Sequence, residues 1–260
     1  MSETLSIMGI QADLAWENPI ENIQNFETKI NEFDKAVDII VLPEMFTSGF
    51  TMQPNHVAES MNGTTVLWMQ NIAKEKQLAI TGSLVIKENG NYYNRLLFVH
   101  PSGKIDYYDK RHSFTLAGEH KAYNSGNKKI IIDYKGWKIC PLICYDLRFP
   151  VWARNTESYD LLIYMANWPI TRIKAWETLL KARAIENMCY TIGVNRIGID
   201  ANDYKYSGNS IIVDFLGEEI SNLQPNKYGF IYFTLNKKEQ NKVRNKLGFL
   251  NDIDTFKIDY

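Results

Sequence analysis

The chain changes its hydrophobic period twice between residues 5 and 42, and this constrains its fold more than any other feature. Leu5, Ile7 and Gly9 fall on one face of an extended segment, with Ser6 and Met8 on the other. A helix start follows. Asn18 suits the N-cap, Pro19 the first helical position, and Glu21 the third, from which it can reach back to the cap. Ile20, Ile23, Phe26, Ile30 and Phe33 then recur at helical spacing. Val37 to Leu42 reads as a largely buried strand that ends at Pro43. Strand–helix–strand is the unit that builds a sheet with helices on its face.

The pattern continues with variations. Val66, Met69, Ile72 and Ala73 mark a second amphipathic helix. Leu78–Ile86, the turn Glu88-Asn89-Gly90 and Tyr92–Val99 predict a hairpin, followed by the turn at Pro101-Ser102-Gly103 and a strand over Lys104–Tyr108. Further strands are expected over Lys129–Asp133, Trp137–Cys144, Asp160–Met165, Tyr190–Asn195, Ser210–Phe215 and Gly229–Leu235, with a helix over Ile173–Met188. Lys237–Lys246 reads as a polar helix with a tail behind it. No repeat or linker divides residues 1–260, so one α/β domain is expected. Strands that arrive through both hairpins and helical crossovers favour two packed mixed sheets with helices outside, although periodicity also allows a single mixed sheet.

Composition narrows the functional classes. Lys and Arg number 29 against 30 Asp and Glu, a formal charge of −1, which argues against a generally basic nucleic-acid surface. No apolar run approaches the ~20 residues of a membrane span, and the N-terminus lacks the pattern of a secretory signal. Three cysteines cannot all pair within one chain, so a reducing, cytoplasmic setting is expected.

Three reactive polar residues lie at strand ends. Glu44, in Leu42-Pro43-Glu44-Met45-Phe46, reads on its own as a solvated carboxylate; in an apolar surround it would instead serve as a base. Lys110, in Tyr107-Tyr108-Asp109-Lys110-Arg111-His112, lies either in a charged turn where Asp109 pairs with Arg111, or inside a site where its ammonium stabilises an oxyanion or thiolate. Cys144 sits where an apolar strand gives way to Tyr145-Asp146 and a helical turn, a geometry that exposes a nucleophile and aims the following N–H groups at a substrate oxygen. Cys140 and Cys189 read as core residues. The spacing from Cys140 to Cys144 lacks a second cluster for zinc, and a Cys–His arrangement would need His112 or His120.

Taken together, Leu-Pro-Glu44-Met-Phe, Tyr-Asp-Lys110-Arg-His and Leu-Ile-Cys144-Tyr-Asp-Leu-Arg-Phe-Pro resemble the nitrilase superfamily of carbon–nitrogen hydrolases, in the order of its Glu–Lys–Cys triad. Met165-Ala-Asn-Trp168-Pro, Arg183-Ala-Ile-Glu-Asn187 and Gly193-Val-Asn-Arg196 are similar to further segments of that family, and Glu119 matches its second glutamate. The resemblance implies a four-layer αββα sandwich, self-association as a homodimer or higher oligomer, and no metal or cofactor. The flanking residues look most like the omega-amidase branch, which hydrolyses terminal amides of 2-oxo acid monoamides such as 2-oxoglutaramate and 2-oxosuccinamate. An N-carbamoyl amino acid amidohydrolase, an aliphatic amidase or a nitrile-cleaving relative is the alternative enzyme; a binding module with a vestigial thiol is the alternative class.

On this reading Glu44 is the base, Cys144 the nucleophile, and Lys110 with the Tyr145 backbone N–H stabilises the oxyanion. Glu119 binds the amide or orients Lys110 and Glu44. Met45, Phe46, Phe114 and Trp168 are the expected pocket walls, and Arg172 the cation for a substrate carboxylate. Arg148 is expected to pair with Asp146 or Glu186.

Overall fold

Two six-stranded mixed sheets lie face to face in a computed structural model that describes residues 2–258. The strands are β1 (Thr4–Gln11), β2 (Ile39–Val41), β3 (Ala79–Glu88), β4 (Asn91–Val99), β5 (Ile105–Asp109), β6 (Ile132–Tyr134) and β7 (Trp137–Ile143). They continue with β8 (Leu161–Ala166), β9 (Tyr190–Asn195), β10 (Ile197–Ile199), β11 (Lys205–Ser207), β12 (Ile211–Val213), β13 (Glu219–Asn222) and β14 (Gly229–Asn236). The helices are α1 (Pro19–Glu32), α2 (Pro54–Val57), α3 (Thr64–Lys76), α4 (Glu119–Ala122), α5 (Pro150–Ala153), α6 (Ile173–Asn187) and α7 (Lys237–Leu247).

The first sheet has the order β14-β1-β2-β3-β4-β5, the second β13-β12-β9-β8-β7-β6, and β10 pairs with β11 apart from both. Each six-stranded sheet has a parallel centre (β1, β2 and β3; β7, β8 and β9) with antiparallel strands on either side. The helical crossovers make the centres and the hairpins extend them, which gives the expected αββα sandwich.

Period-two alternation distributes the apolar residues between layers. Leu5 and Ile7 of β1 join Leu142, Ile163 and Val194 in the central core, whereas Met8 and Ile10 face outward onto Phe26 and Ile30 of α1 and Met69 and Ile72 of α3. Gly9 lies at the closest approach: a Cβ there would stand 2.5 Å from Val194 Cγ2. On the second sheet, Trp176, Leu180 and Ala184 of α6 cover the outer face.

The local signals hold where they are strong. Asn18 Oδ1 accepts the Glu21 N–H at 3.3 Å, while the Glu21 carboxylate reaches back to the Asn18 side-chain amide at 2.8 Å. Asn89 and Gly90 take positive φ (51° and 81°) in the hairpin turn. The short strands β10, β11 and β13 escape sequence reading because three or four residues hold too little alternation. The polar helix α7 docks by charge: Lys237 Nζ and Arg244 Nη1 reach the buried Asp160 at 2.6 and 3.1 Å. Among the described residues, no helix is long and apolar enough to cross a membrane.

Candidate active site

Three strand ends converge between the sheets. β2 stops before Leu42-Pro43, and Glu44 is carried inward to complete burial, which removes the solvated reading of this carboxylate. Its Oε1 accepts from Lys110 Nζ at 2.8 Å and Asn94 Nδ2 at 2.8 Å; Oε2 accepts the Asn167 N–H at 2.8 Å. The Asn167 side-chain amide also donates to the Glu44 carbonyl at 2.6 Å. Every atom that could let this carboxyl rotate is therefore held.

Lys110 follows β5. Its N–H donates to the Asn94 carbonyl at 3.0 Å, and its ammonium donates to both Glu119 oxygens at 3.0 Å as well as to Glu44. Arg95, itself buried, takes Asp109 in a two-point ion pair at 2.6 and 2.9 Å, in place of the Asp109–Arg111 pair of the charged-turn alternative. Glu119 opens α4, and its Oε2 accepts the Phe114 N–H.

Cys144 leaves β7 in a left-handed conformation (φ 44°) and begins a tight 3₁₀ turn over Cys144–Arg148. The helical turn expected after the thiol is present, and the Tyr145 N–H is the next backbone donor along it. Asp146 closes the turn by accepting the Ile143 N–H at 3.1 Å.

Electrostatics divide the roles. Burial acts to lower the Lys110 pKa, but the charges of Glu119 and Glu44 outweigh it and carry it upward, so this lysine stays an ammonium and is a donor only. Burial, then the Glu44 charge, push the Cys144 thiol well above its ordinary value while Lys110 opposes them. The thiol is thus neutral at rest and needs a base at the moment of attack. Burial raises Glu119, against the Lys110 charge, and the Glu44 charge raises it further. Two carboxylates sharing one ammonium relieve much of the cost of burying all three.

Above this floor opens a cavity of about 630 Å³, lined by Cys144, Tyr145, Phe114, Trp168, Arg148 and Arg172 among others. Phe114, Trp168 and Arg172, named from the sequence as pocket residues, are on its wall. Trp168 is fixed by its indole N–H on the Arg172 carbonyl at 2.8 Å, and the Arg172 guanidinium lies 5.0 Å from the Phe114 ring centre.

Met45 and Phe46 do not line it. Met45 takes positive φ (43°), which turns the chain away from the cavity; Phe46 packs edge-on against Phe26 at 5.6 Å, and Met45 against Val85 and Tyr123. Arg148 pairs with neither Asp146 nor Glu186. Asp146 is occupied by Tyr108, His112 and Ile143, Glu186 by Arg183, and Arg148 lies 5.0 Å from the Trp168 ring centre on the cavity wall.

Neither histidine lines the cavity with Cys144. His112 stacks on Phe149 (3.6 Å, 4°) and faces Asp146, so the Cys–His arrangement has no geometric basis. Cys140 is fully buried and Cys189 is too, its Sγ 3.7 Å from Thr191 Oγ1, a polar neighbour the sequence did not suggest. Among the described residues, no group of three or more His, Cys, Asp or Glu side chains is arranged to hold a metal ion. Sequence reasoning missed the roles of Asn94 and Asn167 in holding Glu44. Asn94 is hidden inside a strand, although Asn167 lies at a strand end, the same signal that exposed Glu44 and Cys144.

A family model described as carbon–nitrogen hydrolase matches residues 7–245. The omega-amidase YafV of Yersinia enterocolitica is 40% identical over 97% of this chain and 98% of its own length. The 2-oxoglutaramate amidase of Bacillus subtilis is 31% identical over 95% of this chain and 97% of its own. A solved carbon–nitrogen hydrolase superfamily protein of Xanthomonas campestris, with an arsenic adduct in its active site, superposes with a TM-score of 0.96 at 37% identity, covering 99% of this chain and all (100%) of that one. The chain belongs to the carbon–nitrogen hydrolases of the nitrilase superfamily.

Proposed function

We propose that this enzyme is an omega-amidase, hydrolysing the terminal amide of short 2-oxo dicarboxylic acid monoamides, such as 2-oxoglutaramate and 2-oxosuccinamate, to the oxo acid and ammonia. The observation that carries the chemistry is the buried Lys110 ammonium held between Glu44 and Glu119 in the electrostatic reach of Cys144. The near full-length identity to omega-amidase YafV supports the substrate class.

An amide is a weak electrophile, so the thiol needs both a base and an oxyanion site. Cys144 Sγ bonds to the amide carbon while Glu44 takes the thiol proton. Lys110 and the Tyr145 N–H donate to the oxyanion. The C–N bond then breaks as Glu44 passes the proton to nitrogen, and ammonia leaves a thioester on Cys144. Water, deprotonated by Glu44, adds to that thioester; the C–S bond breaks, the thiolate regains the proton, and the oxo acid departs. Glu119 orients Lys110 and accepts from the amide. Arg172, with Arg148 also on the wall, supplies positive charge for the substrate carboxylate, and Phe114 and Trp168 form apolar walls.

The same reading has residues 1–260 acting as one domain and copies associating through the layer of α5 and α6, where Val151 and Ile185 are exposed. Light scattering of the purified chain tests this. Three cysteines that are all free and buried support a reducing, cytoplasmic setting. The test of function is ammonia release from 2-oxoglutaramate by wild type and Cys144→Ala, beside glutamine, an N-carbamoyl amino acid and a simple aliphatic amide. Turnover of the oxo-amide alone supports the omega-amidase; preference for either of the last two replaces it with another amidase.

A further inference from the structure

Asp146 is fully buried, lies two residues beyond the thiol, and is not part of the cavity wall. Its Oδ2 accepts the Ile143 N–H at 3.1 Å and the Tyr108 hydroxyl at 2.8 Å. Its Oδ1 accepts the His112 N–H at 3.0 Å and faces His112 Nδ1 at 2.7 Å. Closing the turn after Cys144 needs only the first of these. The other three run across to the segment that carries Lys110.

We infer that Asp146 is a positioning residue which ties the Lys110 segment to the nucleophile turn and so sets where the ammonium stands relative to the Cys144 thiol. The inference rests on the roles proposed above for Cys144 and Lys110.

Lys110 comes from the first sheet and Cys144 from the second, and away from the site the layer between those sheets is largely apolar. Apolar contact is non-directional, so it sets the spacing of the sheets more firmly than their relative slide. Hydrogen bonds to a buried carboxylate are directional and charge-assisted. Asp146 receives them from both sides. Tyr108 extends the tie, because its oxygen also accepts the Arg111 N–H at 3.1 Å and the Trp152 indole N–H at 3.0 Å. Residues on both sides of Lys110 are therefore anchored to the carboxylate, directly or through one hydroxyl. On the other side the anchored group is the N–H of Ile143, the residue before Cys144, and the φ of 44° at Cys144 makes the turn sensitive to that support. The stacked Phe149, itself just past the turn, fixes the His112 ring from the same element.

Asp146→Asn keeps the shape but places an NH₂ against one pair of donors. A misplacement of about 1 Å at reacting groups costs roughly 10²-fold in rate. The expected result is a kcat lower by about 10²-fold with KM changed by less than about threefold, because Asp146 touches no substrate.

The distinguishing measurement is the pH dependence of Cys144 alkylation by iodoacetamide, followed by mass spectrometry of the full chain. The groups acting on that thiol are Glu44, Lys110 and Glu119, with Tyr206 on the cavity wall also in its electrostatic reach. Lys110 favours the thiolate, so a less well placed ammonium moves the alkylation profile to higher pH, by about one unit. Tyr108→Phe moves it in the same direction by less. In a Lys110→Ala background, Asp146→Asn adds no further shift. A profile for Asp146→Asn that overlays wild type overturns the inference, and so does a full shift that persists without Lys110. Should Asp146→Asn fail to fold, Tyr108→Phe, alone and with Lys110→Ala, decides between the same two outcomes. Failure of the amidase reading is recognised separately, as ammonia release that survives Cys144→Ala.

Discussion

The floor and the mouth of the cavity hold their cations in opposite ways. At the floor, Lys110 is buried and shared by two carboxylates at 2.8 and 3.0 Å, and two asparagines lock Glu44. At the mouth, Arg148 and Arg172 meet the rings of Trp168 and Phe114, and neither forms an ion pair among the described residues. Leu116 nearby is 80% exposed and Tyr204 55%. A charge matched by carboxylates is fixed in place but largely neutralised. A charge held against a ring keeps its field for an incoming anion. Floor substitutions should therefore change the chemical step, and mouth substitutions the choice and affinity of substrate.

The largest effect tests the floor: Cys144→Ala should lower ammonia release from 2-oxoglutaramate by at least about 10⁴-fold with a cooperative melt retained. Lys110→Ala should cost roughly 10³-fold in kcat, about 4 kcal/mol, since it removes an oxyanion donor and strands two buried carboxylates. A rise in KM with unchanged kcat would place Lys110 in binding instead and erase the contrast.

Because the Cys144 thiol is held above its ordinary value near 9, its alkylation should be slow at pH 7 and rise roughly 10²-fold by pH 9 without a plateau, about tenfold per unit. A plateau near pH 7 would mean a resting thiolate and no need for the base. At the mouth, Arg172→Ala should raise KM for the oxo-amide by about tenfold and weaken its salt dependence, with kcat nearly unchanged. An unchanged KM removes Arg172 from binding. Leu116→Ser, at the exposed rim, should alter kcat/KM by about twofold or less.

How much of this was legible in the chain depends on direction. Glu44 and Cys144 are visible because each follows an apolar run that stops abruptly, and Lys110 because it stands just past a short strand that ends in Tyr-Tyr-Asp; a strand end is where a sheet delivers side chains to a site. What each meets there is a tertiary fact. Asn94 has the ordinary alternation of a strand residue, and nothing local marks its contact with Glu44 across 50 positions. Phe46 misled because adjacency to Glu44 suggested a shared cavity, whereas one left-handed residue between them reverses the direction. Arg148 misled for the same reason. Its neighbour in sequence, Asp146, had its lone pairs taken by donors from further away.

The pairing of β1 with β14 bears on how the molecule is made. Thr4 lies opposite Asn236 and Gln11 opposite Gly229, so the first of the described strands borders the last. At about 5–20 residues per second, β1 waits roughly ten to forty-five seconds for that neighbour. Over this interval one edge of a strand that is buried in the finished protein lacks its hydrogen-bonding partner, a state prone to pairing with other chains. The first sheet can be completed only after residues 229–236 have left the ribosome. Yield at high expression or raised temperature should accordingly be governed by nascent-chain protection rather than by the stability of the folded enzyme.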